Sequence, residues 1–421
     1  MSLTLACHHA DTKRILELLR ATRLKIVRGE SRPATNRCKY NETVTKQAAS
    51  SILDTGIKMV RNVGSFNFGR GAIADAAAQV EIRRQTATVS GADSRAVFLV
   101  DEFFSNDTDL LVKAGQKTDD FVAYVQTSDE PTTDAIDKMV ADIRAKGYAA
   151  PATILGIGGG ITLDTAKAVA NLLTNPGNAS DYQGWDLVKV PGIHKIGIPT
   201  ISGTGSEATR TCVMTNKKTG LKLGMNSDFT VFNHLVLDPD LTATVPRDQY
   251  FFTGMDAYIH CIEALAGSYR NAVGDAYSNE TINLCKKVFL ADDMMSAEAR
   301  ENLMVASYLG GSAIATSYVG VVHPFSAGLS VVLGIHHCLA NCITMRAMQE
   351  FYPQPYEEFW NSVERQKVTV PEGVARNLTD DLYKALYEST VIHAKPLTNA
   401  LGPDYKSTLT FDKVVELFKK M

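Results

Sequence analysis

Asp256 and His260 stand four residues apart in Gly254-Met255-Asp256-Ala257-Tyr258-Ile259-His260, so on a helix they share one face and can chelate one ion. Taken alone, such a pair is more often a surface or core hydrogen bond. Two further histidines, His323 and His337, lie inside 44 consecutive residues, Asn302 to Met345, that contain no Asp, Glu, Lys or Arg. In such apolar surroundings an imidazole is costly unless it is paired. On one straight helix His323 and His337 would stand about 21 Å apart and could not share an ion. Pro324 and a break at Gly334 allow one helix to end and another to begin at Ile335-His336-His337, folding the two back toward each other. A carboxylate with three imidazoles suits Fe²⁺ or Zn²⁺, and composition does not choose between them. Cys338 and Cys342, also at i and i+4, are softer alternative ligands and read more simply as small core residues.

A second chemistry is written in glycines. Gly156-Ile157-Gly158-Gly159-Gly160-Ile161-Thr162-Leu163-Asp164-Thr165-Ala166-Lys167 sits where a strand gives way to a helix. With no side chains in the way, backbone N–H groups and the helix N-terminus can approach a diphosphate. The segment is not the usual GxGxxG fingerprint, which aligned on Gly156 would need glycine at Ile161, nor a P-loop, which needs Gly-Lys-Ser/Thr. A tight turn without a ligand is the plain alternative. A second loop of similar chemistry, Pro199-Thr200-Ile201-Ser202-Gly203-Thr204-Gly205-Ser206-Glu207, makes a shared nucleotide cleft the better reading. Asp101 closes a strand and can bond a ribose diol, where its charge would repel a 2′-phosphate and favour NAD over NADP. It could equally cap a helix.

These groups need two kinds of scaffold. Val60 to Phe68 reads as a strand, Phe68-Gly69-Arg70-Gly71-Ala72 as a turn into a helix, and Ala96 to Val100 as a buried parallel strand ending at Asp101. Tyr124-Val125, the helix Thr132 to Lys146, the strand Ala152 to Ile157 and the helix Leu163 to Leu173 continue the alternation, which argues a Rossmann-like, doubly wound parallel sheet. After about residue 245 helical patterns dominate. The expected division is an extension over 1–58, an α/β nucleotide domain over 59–245 and an all-α metal domain over 246–421. The extension carries His8-His9, an amphipathic run from Thr12 to Leu24 and a polar stretch from Arg28 to Gln47.

The totals agree with this division. A chain of 421 residues with 45% hydrophobic side chains can fill two cores, which sets aside disordered, collagen-like and disulfide-scaffold readings. Its 43 Lys and Arg against 46 Asp and Glu leave −3, with no basic stripe, so no nucleic-acid partner is expected. The uncharged stretch fails as a membrane span because it holds His323, His336, His337, Pro324, Asn341 and five glycines and lacks an aromatic belt. Seven cysteines without a CxxC, and no leader of the secretory kind, suggest reduced thiols and a cytoplasmic location.

Jointly, three motifs resemble those of the iron-dependent (group III) alcohol dehydrogenase family, which includes zinc glycerol dehydrogenases and is related in fold to dehydroquinate synthase. Gly158 to Lys167 is similar to its GGGSxxDxAK, Pro199 to Glu207 to its PTTxGTGSE, and Gly254 to Glu263 to its GxDAxxHxxE. The resemblance runs from Met59 to about Met421. It implies a dehydroquinate synthase-like α/β domain with an all-α C-terminal domain, and a homodimer. It also implies one divalent metal (Fe²⁺ or Zn²⁺) on Asp256, His260, His323 and His337, whose histidine spacings of 63 and 14 look like the family's own. NAD would lie against Asp101, Gly158, Gly159, Gly160, Asp164, Thr200, Thr204, Ser206 and Lys222. The implied chemistry is hydride transfer from a primary alcohol, leaving an aldehyde, with a small-molecule alcohol or sugar as substrate.

One departure stands out. The family commonly has a proton-relaying histidine four residues after the third ligand, and Ala327 is there instead. Aligning His323 with the relay would make Val319 a ligand, which it cannot be, so His323 stays on the metal and His336 becomes the candidate relay; a core histidine is the plain reading of His336. The chain also looks similar to the members that oxidise C8 of 3-deoxy-D-manno-octulosonate (Kdo) ahead of amination of that lipopolysaccharide sugar. An acidic sugar needs a nearby cation, for which Arg210 and Lys222 are candidates. Alternatives are a general short-chain alcohol or diol dehydrogenase, a metal- and O₂-dependent oxidase, a dehydroquinate-synthase-like lyase, and a non-catalytic nucleotide-binding protein.

Overall fold

A computed structural model describes residues 61–128 and 130–421, all within one compact unit, Ser50–Met421. The features read in the extension, its two histidines, Cys7, Cys38 and Val60 at the start of the first expected strand lie outside the described residues. That strand covers Ser65–Phe68 (β1) only.

Six strands form one parallel sheet: β1, Ala96–Asp101 (β2), Phe121–Val125 (β3), Thr153–Gly158 (β4), Lys195–Pro199 (β6) and His234–Leu237 (β9). Its order is β1-β9-β6-β4-β2-β3. Ala96 to Val100 and Ile154 to Ile157 are wholly buried, as apolar runs covered on both faces must be. Helices Ile73–Ser90 (α1), Thr108–Lys113 (α2), Thr133–Ala145 (α3) and Gly160–Thr174 (α4) connect and cover them. From β2 the chain steps outward to β3 and then back across to β4. The carboxyl ends of β2 and β4 therefore flank the point where strand order reverses, where open α/β sheets bind their ligands.

A smaller sheet, in the order β5-β8-β7, was not anticipated: Gly184–Trp185 (β5), Thr211–Asn216 (β7) and Leu221–Asn226 (β8). Its hairpin turns at Gly220, whose φ of 67° suits glycine. In β7 the alternation that would have revealed a strand is blurred, because Val213 is apolar yet faces a cleft instead of the core.

From Arg247 onward the described chain is helical. Arg247–Ala266 (α5), Ala272–Phe289 (α6) and Ala297–Ser317 (α7) pack together, followed by Val322–Leu333 (α8), His337–Thr344 (α9), Pro353–Gln366 (α10), Asp380–Val391 (α11), Ala394–Leu401 (α12), Tyr405–Thr408 (α13) and Phe411–Lys419 (α14). The uncharged stretch supplies most of α7 and all of α8 and α9. No single described helix is long and apolar enough to cross a membrane; α7 and α8 pass only as a pair, bent by 105° at their junction. Pro324 does not make a break. It lies in the first turn of α8, where its missing N–H costs nothing, and the chain turns at 318–321 and again at Gly334, a left-handed C-cap with φ 68°.

Candidate metal and dinucleotide site

The α4 helix starts at Gly160 with Gly159 as its cap, three residues before the expected Leu163. Its first free N–H groups therefore belong to the glycine-rich turn itself. A Cβ at Gly158 would fall 2.7 Å from Thr162 Oγ1 and 2.9 Å from Asp101 Cβ, so glycine here lets β2 and β4 close on each other at the reversal point. The Asp101 carboxylate caps the short turn that follows β2, accepting from Phe103 N–H at 3.1 Å and from Thr127 Oγ1 at 3.2 Å, both through Oδ1. The capping reading of Asp101 holds, and the residue also lines the cleft.

The second loop is held under the helical half. Gly205 has φ 63°, and a Cβ on it would stand 2.5 Å from Gly311 Cα of α7. Ser307 Oγ accepts from Gly203 N–H at 2.8 Å and donates to the buried Glu207 at 2.6 Å. Asp164 belongs to this scaffold more than to a ligand surface. It accepts from Ser206 Oγ at 2.5 Å and from Val213 N–H at 2.8 Å, tying α4 to the loop and to β7. Lys167 is buried beneath them, donating to Thr209 Oγ1 at 3.1 Å and Thr211 O at 2.7 Å.

Across the cleft, α5 presents Asp256 and His260 one turn apart, α8 presents His323 in its first turn, and α9 opens on His337. Asp256 Oδ1 lies 3.4 Å from His260 Nε2 and 3.3 Å from His323 Nε2, and Oδ2 lies 3.9 Å from His337 Nε2. The His323 and His337 ring centres are 5.5 Å apart, so the two turns remove the separation a straight helix would impose. Asp256, His260 and His323 offer ligand atoms within 4.8 Å of one another. Burial raises the Asp256 carboxyl, but His260 and His323 outweigh it and hold it well below the usual carboxylate range. Burial lowers His260 to about 4, and burial with Lys222 lowers His337 to about 3, leaving neutral imidazoles facing one anionic carboxylate. Such a donor set fits a divalent cation.

Two residues named in the sequence without a role at the site complete the cluster. Glu263, three residues beyond His260 on α5, hydrogen-bonds His323 Nδ1 and accepts from Val322 N–H at 2.5 Å. It orients the His323 ring so that Nε2 faces Asp256, where a bound cation would take the place of the Nε2 proton. Burial disfavours charge on His323, yet Glu263 and Asp256 override it and push its pKa up to about 10. Asn341, four residues after His337, donates to Asp256 Oδ1 at 2.7 Å. Their spacings from His260 and His337 were the available signal. Cys342 is buried in the helical core, as the simpler reading had it, whereas Cys338, also buried, lies on the cleft wall with its Sγ 3.9 Å from Asp256 Oδ2.

One cleft of about 890 Å³ joins the two clusters: Asp101, Gly159, Gly160, Asp164, Thr200, Thr204, Ser206 and Lys222 line it together with Asp256, His260, His323, His336 and His337. Gly158 is not on its wall. His336 caps α9, and burial lowers its pKa. Arg210 and Lys222 correct an expectation, since neither charge is free. Arg210 pairs with Asp186 at 2.5 Å and Asp228 at 3.1 Å, and Lys222 with Glu130 at 2.9 Å.

The family profile of iron-containing alcohol dehydrogenases matches residues 65–239, and the profile of that family's C-terminal part matches residues 251–391. The chain belongs to the iron-containing alcohol dehydrogenase family. Among curated relatives, sulfoacetaldehyde reductase of Bilophila wadsworthia is 34% identical over 221 residues, 52% of this chain and 56% of that protein. Alcohol dehydrogenase 4 of Schizosaccharomyces pombe is 29% identical over 324 residues, 75% of this chain and 72% of that protein. The match thus spans little more than half the length of the first. The fold is that of a sulfoacetaldehyde reductase from Bifidobacterium kashiwanohense solved in complex with NAD⁺, with a TM-score of 0.67 at 22% identity, covering 86% of this chain and 97% of that one.

Proposed function

We propose that this iron-containing alcohol dehydrogenase family member interconverts a primary alcohol and its aldehyde, using NAD and one divalent metal. The observation that carries the reading is the convergence of Asp256, His260, His323 and His337 on the same cleft as the glycine-rich start of α4. The NAD⁺ named with one solved relative and the alcohol dehydrogenase name of another support it. Residues 59–245 then serve the nucleotide and residues 246–421 the metal.

Asp256, His260, His323 and His337 would hold Fe²⁺ or Zn²⁺, an ion that when bound acts as a Lewis acid on the alcohol oxygen and lowers its pKa. The first N–H groups of α4 at Gly159 and Gly160, with the hydroxyls of Thr200, Thr204 and Ser206, receive the diphosphate. Asp101 accepts from the adenosine ribose and disfavours a 2′-phosphate. Asp164 acts one step removed, fixing Ser206 and β7. NAD, when bound, supplies the hydride acceptor; the two lobes would hold the reacting carbon of the alcohol beside it and exclude water. His336, on the cleft wall and kept neutral by burial, takes the alcohol proton outward in place of the family's relay, whose position is Ala327.

The finer substrate reading is an acidic sugar, with oxidation at C8 of Kdo during lipopolysaccharide sugar modification. A panel of Kdo, glycerol and short alcohols, offered with NAD and NADP under defined Fe²⁺ or Zn²⁺, tests both levels. NADH formation with Kdo supports the whole reading. Turnover of ethanol but not Kdo removes the sugar and leaves the dehydrogenase.

A further inference from the structure

Among the described residues three lysine and arginine side chains reach the cleft, and their partners differ. Lys222 and Arg210 are spent on Glu130, Asp186 and Asp228. Lys395, on α12, forms no ion pair among the described residues. Its Nζ stands 3.5 Å from the centre of the Trp185 ring and 5.7 Å from that of Tyr318. The two rings meet edge to face at 5.3 Å, and Tyr269 backs Tyr318 at 5.2 Å. Aromatic faces orient an ammonium without neutralising it, so the charge stays available to an anion.

The platform is built with some effort. Tyr318 has φ 61° and ψ 164°, a conformation bulky residues rarely adopt, and Asn399 Nδ2 pins it by donating to Ser317 O at 3.1 Å and Val319 O at 3.0 Å. Residues 392–396, which carry Lys395, all line the cleft and begin where the family's C-terminal profile stops matching, at residue 391. Partial burial and the Arg210 charge lower the Lys395 pKa, with Asp186 opposing, so an arriving anion would relieve the lysine.

We propose that Lys395, seated on Trp185 and Tyr318, anchors an anionic group, a carboxylate or sulfonate, carried by the substrate away from its reacting carbon. This rests on the dehydrogenase reading of the cleft. The test is steady-state kinetics on the metal-loaded full chain with matched pairs, butanol against 4-hydroxybutyrate and propanol against 3-hydroxypropanesulfonate, in wild type, Lys395→Met and Lys395→Arg. The readout is the ratio of kcat/KM for the anionic over the neutral member. It should fall about tenfold in Lys395→Met, mostly through KM, and recover in Lys395→Arg. The carboxylate and sulfonate arms tell which anion the site takes. A ratio unmoved by Lys395→Met overturns the anchor while leaving the dehydrogenase intact. A KM for NAD that rises as much as that for the anion also overturns it, assigning the lysine to the cofactor diphosphate. A wild type inert toward every alcohol defeats the dehydrogenase reading and the anchor with it.

Discussion

Glu263 decides which nitrogen of His323 faces Asp256. Its two oxygens accept from His323 Nδ1–H and from the N–H groups that open α8, so one buried carboxylate orients a ligand and caps its helix. In Glu263→Gln an amide N–H₂ would confront one of these donors. Metal affinity, measured by competition with a chelator, should fall about 10- to 100-fold while NAD affinity holds. Helix periodicity made Asp256 and His260 legible as a pair, while the uncharged stretch pointed to three histidines, His323, His336 and His337, of which only the family resemblance selected the first and last as ligand candidates. Lys395 was not legible: its cleft position depends on α12 returning beside Trp185, more than 200 residues earlier, which no local pattern encodes. The pairing of Arg210 and Lys222 was hidden for the same reason, their carboxylates lying on other elements.

At the scale of elements, the site depends on how closely the second glycine loop lies under α7. Gly205 has a left-handed φ of 63° and lies against Gly311 backbone, so Gly205→Ala meets both strain and a clash. A loss of about 1–3 kcal/mol is expected, read as a lower melting temperature together with a raised KM for NAD. The strands β2 and β4 were readable because burial on both faces leaves continuous apolar runs. The start of α4 was misplaced because its first residues are glycines, poor helix formers whose place at the helix start is set by close packing against Asp101, Ile201 and Thr204. Pro324 misled in the opposite sense, since proline is tolerated in a first turn.

At the scale of the whole molecule, stability should fall in mild acid. His194, part-buried beside β6 and bonded to Thr153 Oγ1 at 2.9 Å, has its pKa lowered from 6.5 to about 3 by burial and then by Arg83 and Lys195. The unfolded chain therefore binds more protons across that window. The stability that neutral His194 supplies is complete above pH 6.5 and is lost as the pH drops toward 3. Between pH 6.5 and 5, above most carboxylate titrations, the melting temperature of His194→Gln should vary less steeply than that of the wild type.

The division into a strand-rich half and a helical half was visible from where alternation stops, but the cleft between them was not, because it is made by residues from both halves at once. Metal add-back tests that shared cleft most directly. The protein is stripped with a chelator, one divalent ion (Fe²⁺ or Zn²⁺) is titrated in, and NADH formation from a primary alcohol is followed for wild type and His260→Ala. Activity should return in proportion to bound metal and saturate near one ion per chain in the wild type, and it should stay absent in His260→Ala although that variant still binds NAD. Full activity in the stripped wild type, or in metal-free His260→Ala, would contradict the assignment.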